Sequence, residues 1–192
     1  MTTTDTPTPK YTVPGVGQDA AGDVATALQD RLVSLLDLTL TLKHIHWNVV
    51  GPMFISVHEM LDPQYAAVSA MVDAMAERIA TMGTSPNGLV GHVVATRRWA
   101  EDPNTRAQVP VHLRALDSVY DGVIADHRRA IDEIGKLDPI SEDLLIGQTR
   151  ELELFQWFVR AHLESTDGSL ERSSDPSSSG PAPADQRIAP EG

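Results

Sequence analysis

The 192-residue sequence predicts an all-α protein, a bundle of four long helices with a long crossover between the second and third. Three observations carry this. Apolar residues recur at helical spacings along four stretches. Gly51-Pro52, Gly83 and Asp138-Pro139 punctuate the chain between them. The gap over 83–104 is long enough to run from one end of a bundle to the other.

In the first stretch, 20–47, Val24, Leu28, Leu32, Leu35 and Leu42 recur at intervals of three, four and seven. The stripe passes over Thr39, and Leu36, Leu38 and Leu40 broaden it. Gly51-Pro52 ends this helix, and a second is expected over 55–82, stopping at Gly83. The crossover holds Gly, Pro and Asn with one short apolar piece around Val93. A third helix is expected over 105–137. Asp138 then serves as N-cap and Pro139 as first residue of a fourth, running to 164 with Leu145, Leu152, Phe155, Val159 and Leu163 on one side. This order describes a ferritin-like bundle rather than a simple up-and-down one. Residues 1–15, rich in Thr and Pro, read as a flexible arm. The Ser/Pro/Gly-rich stretch 166–192 reads as a disordered tail, and 16–165 as the domain between them.

Composition narrows the function. Fifteen basic residues stand against 27 acidic ones, a net charge of −12, and only Lys10, Lys43 and Lys136 are lysines. A strongly basic nucleic-acid binder is therefore not the default. With no cysteine there is neither a disulfide framework nor a thiolate metal site. No apolar run approaches membrane-spanning length. MTTTDTPTPK has no apolar signal-peptide core, so the expected location is cytoplasmic.

One region is dense in hard-metal ligands: His46, His58, Glu59, Asp62, Asp73 and Glu77. His58 and Asp62 are i, i+4 neighbours on a helix, as are Asp73 and Glu77. The four share one face, but Asp62 and Asp73 lie about 16 Å apart along the axis, too far for one ion within one chain. The two pairs are nevertheless equidistant from a point between residues 67 and 68. An antiparallel copy of the helix about a two-fold axis there would set His58 against Glu77 and Asp62 against Asp73. Ala66, Ala67, Val68, Ser69 and Ala70 around the axis are small enough for close approach. Such a contact is isologous and yields two identical sites. Imidazole and carboxylate without thiolate suit iron or manganese, and also zinc. Pro63, directly after Asp62, is expected to kink or restart this helix. Taken singly, each i, i+4 pair also reads as an ordinary solvated pair. His58-Glu59-Met60-Leu61-Asp62 lacks the second histidine of the zinc-protease motif. The Glu-x-x-His pair of internal di-iron bundles is absent.

HWNVVGPMFISVHEMLDPQ, followed by Asp73 and AERIA, resembles the Dps family of miniferritins, the DNA-binding proteins from starved cells; the closing LFQWFVRAHLE is similar to that family's last helix. The resemblance spans about 16–165 and is closest to the actinobacterial branch. It implies a ferritin-like four-helix bundle with a short helix in the crossover, assembling as two-fold dimers into a hollow dodecamer. It implies a di-iron ferroxidase centre at each dimer interface, with His46, His58 and Asp62 from one chain and Asp73 and Glu77 from its partner. The implied chemistry is oxidation of Fe(II), preferentially by hydrogen peroxide, with ferric mineral stored in the cavity and protection from oxidative damage. Trp47 would sit beside the centre, and a core aromatic is an equal reading of it. Aligning the last helix puts an acidic iron-entry pore near Asp138, Glu142 and Asp143. The alternative makes Asp138 a cap and the other two complements to a helix N-terminus.

The family name promises DNA binding, and the charge argues against it. The arm carries Asp5 and Lys10 and is neutral. The tail sets five acids (Asp167, Glu171, Asp175, Asp185, Glu191) against two arginines (Arg172, Arg187), a charge of −3, which leaves −9 on the core. Weak or absent DNA binding is expected, because phosphate neutralisation dominates non-specific affinity. Local arginines (Arg97, Arg98, Arg106; Arg128, Arg129) are the sequence's route around this. The alternatives are a mainly non-enzymatic DNA-compacting nucleoid protein and a helical scaffold without redox activity.

Overall fold

A computed structural model describes residues 9–170. In order, it contains α1 (Gln18–Asn48), β1 (Val49–Val50), α2 (Phe54–Thr81), α3 (Val90–Thr96), β2 (Ala107–Gln108), α4 (Val109–Ile134) and α5 (Pro139–Ala161). α1 packs on α2 and α4 on α5, and contact between α1 and α4 joins the two pairs. The expected α1 stripe is the core: Val24, Leu28, Leu32, Leu35 and Leu42 are fully or almost fully buried, as is Leu38. Leu61, Met75, Leu113, Leu145 and Leu152 meet it from the other helices.

Three boundaries differ from the sequence expectation. The third long helix starts at Val109 rather than 105, because the residues before it form β2, which pairs in parallel with β1 (Val49↔Ala107, Val50↔Gln108). This two-residue ladder ties the end of α1 to the start of α4, so α2 and α4 set out from the same end of the bundle and the crossover must return there. The last helix stops at Ala161, and the chain turns back: Ser165 N–H donates to Ser169 O at 2.8 Å and Leu170 packs on the core. Pro63 does not restart α2, which is continuous from Phe54 to Thr81. Pro63 and Glu59 are both exposed, so the carbonyl that loses its amide partner lies on the solvent side.

Within the expected arm, residues 9–15 lie on the bundle. Pro9 is buried, and the Tyr11 carbonyl sits against Gly83, whose φ of +87° lets the chain turn without a side chain in the way. Residues 1–8, the rest of that arm, and 171–192 of the expected tail lie outside the described residues.

The crossover is strapped to α1. Asp37 accepts from Arg97 (2.9 Å) and from Trp99 Nε1, and Asp30 accepts from Arg98 at 2.6 Å. The Trp99 ring fills the notch left by Gly122 of α4. Further along, buried His112 bridges the Asp102 carboxylate (3.0 Å) and the Thr105 carbonyl (2.9 Å). Between α1 and α4, Arg31 pairs with Asp126 at 3.3 Å, both almost fully buried. Burial pulls Arg31 down to about 10, where it is still a cation at neutral pH, and pulls the neighbouring His127 down to about 4, so that histidine is neutral.

Candidate metal centre

His46 lies in the last turn of α1, and His58 and Asp62 in the second and third turns of α2. The short link through Gly51, with φ +112°, folds α2 back on α1 and brings all three together. One ligand atom from each lies within 4.8 Å of the others. The two imidazoles are stacked, with centroids 3.7 Å apart. Each is fixed by the other's backbone: His46 Nδ1 donates to His58 O at 3.2 Å, and His58 Nδ1 donates to His46 O at 3.0 Å. A carbonyl only accepts, so Nδ1 carries the proton in both rings. Each Nε2 is left with a bare lone pair, the form in which imidazole binds a metal. Phe54 packs against the His58 ring at 5.0 Å.

Beside the imidazoles, the Asp62 carboxylate lies 3.4 Å from His46 Nδ1 and accepts from Lys43 Nζ at 2.9 Å. That hydrogen bond is the largest effect and holds Asp62 below the usual carboxylate range, with desolvation opposing it. The ammonium of Lys43 also stands 4.5 Å over the centre of the Tyr65 ring. Sequence reasoning left Lys43 and Tyr65 out of the site. The available signal was their helical spacing: Lys43 is three residues before His46, and Tyr65 three after Asp62.

Asp73 and Glu77 are not brought to this cluster within one chain. They lie further along the exposed face of α2, about 16 Å on from Asp62 in the case of Asp73. Between the two ends of that face, Ala66 and Ala70 are exposed. Glu59 is exposed as well and stands outside the cluster. Trp47, at the end of α1, is 73% exposed rather than part of the chain's own core.

Of the three acids expected at an entry pore, Asp138 is buried and committed elsewhere. Its carboxylate accepts from Ser141 N at 3.1 Å, from Ser141 Oγ and from Arg78. Burial works to raise its pKa, and the bonds from Ser141 and Arg78 outweigh that and lower it. The geometry gives Asp138 the capping role. Glu142 is half-buried with its carboxylate against Gly135, and Asp143 is exposed one turn into α5.

No helix among the described residues is long and apolar enough to cross a membrane. Residues 25–169 match the model of the ferritin-like domain. The chain is 54% identical over 160 residues to the DNA protection during starvation protein of Mycolicibacterium smegmatis, covering 83% of this chain and 87% of that one. It superposes on DpsA14 from Streptomyces coelicolor with a TM-score of 0.84 and 57% identity, over 86% of this chain and 98% of that one. On Mycobacterium smegmatis Dps the TM-score is 0.83 at 53% identity, over 85% and 99%. With a relative of this identity covering most of both chains, and the same fold in the solved structures, the chain belongs to the Dps family of ferritin-like proteins, in its actinobacterial type.

Proposed function

We propose that this chain is a ferroxidase and iron store. It oxidises Fe(II) at centres shared between two subunits, preferentially with hydrogen peroxide, and holds the ferric product inside a hollow dodecamer in the cytoplasm, limiting oxidative damage. One observation carries the reading: reciprocal Nδ1-to-carbonyl bonds leave Nε2 of His46 and His58 unprotonated, in a cluster where one ligand atom from each histidine and from Asp62 lies within 4.8 Å of the others.

Iron is substrate here, not a resident cofactor. His46, His58 and Asp62 supply half of a di-iron site, and the partner's Asp73 and the partner's Glu77 supply the rest. The small exposed residues of α2 let the second copy approach. Two irons held together each give one electron to one peroxide. With two protons the peroxide leaves as two waters, and no hydroxyl radical is released. Asp143 and Glu142, presented from the first turns of α5, are the acids for an iron-entry funnel, with Asp138 positioning the helix start that carries them.

The second reading, a DNA-compacting protein, draws on the name of the Mycolicibacterium smegmatis relative, a DNA protection during starvation protein. The net charge of −12 opposes it. In a retardation assay at low salt, duplex DNA is expected to run unshifted at neutral pH, and a firm shift would reverse that judgement. The ferroxidase reading is tested by anaerobic Fe(II) loading, addition of hydrogen peroxide, and sizing of the product. Fast ferric absorbance co-eluting with a large shell is expected. Background-rate oxidation with iron precipitating outside the protein would overturn it.

A further inference from the structure

Resting on the metal-site reading, we propose that Lys43 and Tyr65 form a tethered cation placeholder that makes the His46–His58–Asp62 site selective for divalent over monovalent cations. The ammonium stands where an incoming cation would meet Asp62, 2.9 Å from its Oδ1. The aromatic face of Tyr65, 4.5 Å away, holds it there from the other side. Lys43 is anchored on α1, while Asp62 and Tyr65 lie one turn apart on α2, so the ammonium is clamped between the helices that build the site.

A tethered ammonium competes as an intramolecular ligand, with an effective concentration in the millimolar range or above. It carries the same single charge as Na⁺ or K⁺, so neither displaces it by charge, and neither gains much from imidazole nitrogen. A divalent first-row ion has twice the charge and takes the two free Nε2 donors besides. The side chain, 23% exposed, then swings aside toward solvent. Tyr65 sets how firmly the placeholder is held. An exposed cation–π contact changes the occupancy of such a position by about two- to fivefold.

The test is Co(II) titration of the full chain, followed by the absorption of the bound ion, for wild type, Tyr65→Leu, Tyr65→Phe, Lys43→Met and His58→Ala. Titrations are run in KCl and in tetramethylammonium chloride at equal ionic strength, so that occupation by K⁺ is separated from screening. Tyr65→Leu is expected to bind Co(II) about two- to fivefold more tightly than wild type, and Tyr65→Phe, which keeps the ring, to match wild type. Lys43→Met should bind more tightly still, and should lose affinity in KCl relative to tetramethylammonium chloride while wild type does not. Unchanged binding in Tyr65→Leu, or equal behaviour of Lys43→Met in the two salts, would overturn the placeholder. If wild type and His58→Ala give the same Co(II) spectrum, the metal site itself is refuted, a distinct outcome.

Discussion

The Arg31–Asp126 pair gives the sharpest stability prediction. Three guanidinium groups reach Asp126: Arg31 from α1 at 3.3 Å, Arg98 from the crossover at 3.7 Å, and Arg129 from α4. Arg98 and Arg129 are more than half exposed and can turn to water, whereas the Arg31 side chain is 4% exposed and cannot. Asp126→Asn keeps the shape and removes the charge, leaving the buried Arg31 cation only the field of Asp30 and Glu133 to offset its burial. Breaking a buried pair from one side costs about 3–5 kcal/mol. Asp126 Oδ1 accepts from Arg129, a hydrogen bond the amide oxygen can keep, which places this variant near the lower end, at about 3 kcal/mol. For a chain of this size each kcal/mol shifts Tm by roughly 2–4 °C, so a fall of about 6–12 °C follows. The assay is thermal unfolding at one fixed protein concentration, because subunit association adds a concentration-dependent contribution. The double variant Arg31→Met with Asp126→Leu removes both charges and should recover at least half of the loss. A fall below about 2 °C in Asp126→Asn would show that the Arg31 charge is compensated elsewhere, and the account of this pin would fail.

Three further outcomes are expected. Asp73→Ala combined with Glu77→Ala should assemble normally and oxidise Fe(II) no faster than buffer; wild-type rates would remove both residues from the mechanism. Gly83→Ala puts a side chain at φ +87° and into the Tyr11 carbonyl, so residues 9–15 should lift off and limited proteolysis should cut there faster, and an unchanged cleavage pattern would contradict the docking of this segment. The pKa of Asp138 is lowered in the fold from 3.8, so its stabilisation is fully present above that value and is lost as pH falls through the lower folded value. Asp138→Asn should therefore unfold with a shallower dependence on pH below about 4 than wild type, and parallel acid profiles would refute the Arg78–Asp138 contribution.

Much of the fold is written in local pattern. The leucine stripe of α1, the Gly51 and Gly83 breaks and the Asp138-Pro139 restart depend on residues a few positions apart, and the structure keeps all of them. The His58–Asp62 pair was legible for the same reason, as a turn of helix fixes which side chains share a face. The restart expected at Pro63 is absent, because a proline on an exposed helix face costs less continuity than its usual effect implies. The start of α4 misled because β1 and β2, more than fifty residues apart in sequence, take the residues before it into a ladder that no local period reports.

The sequence by itself determined the helix count, the acidic charge that opposes a polyanion, and the carboxylates and histidine that recur on one face of α2. Only the tertiary structure decided that His46 stacks on His58, that each ring's proton sits on Nδ1, that Lys43 occupies Asp62, and that Asp138 is buried on Arg78. Each of these joins residues on different helices. Periodicity sets which face a side chain occupies, while the register and distance between two helices come from how their cores pack.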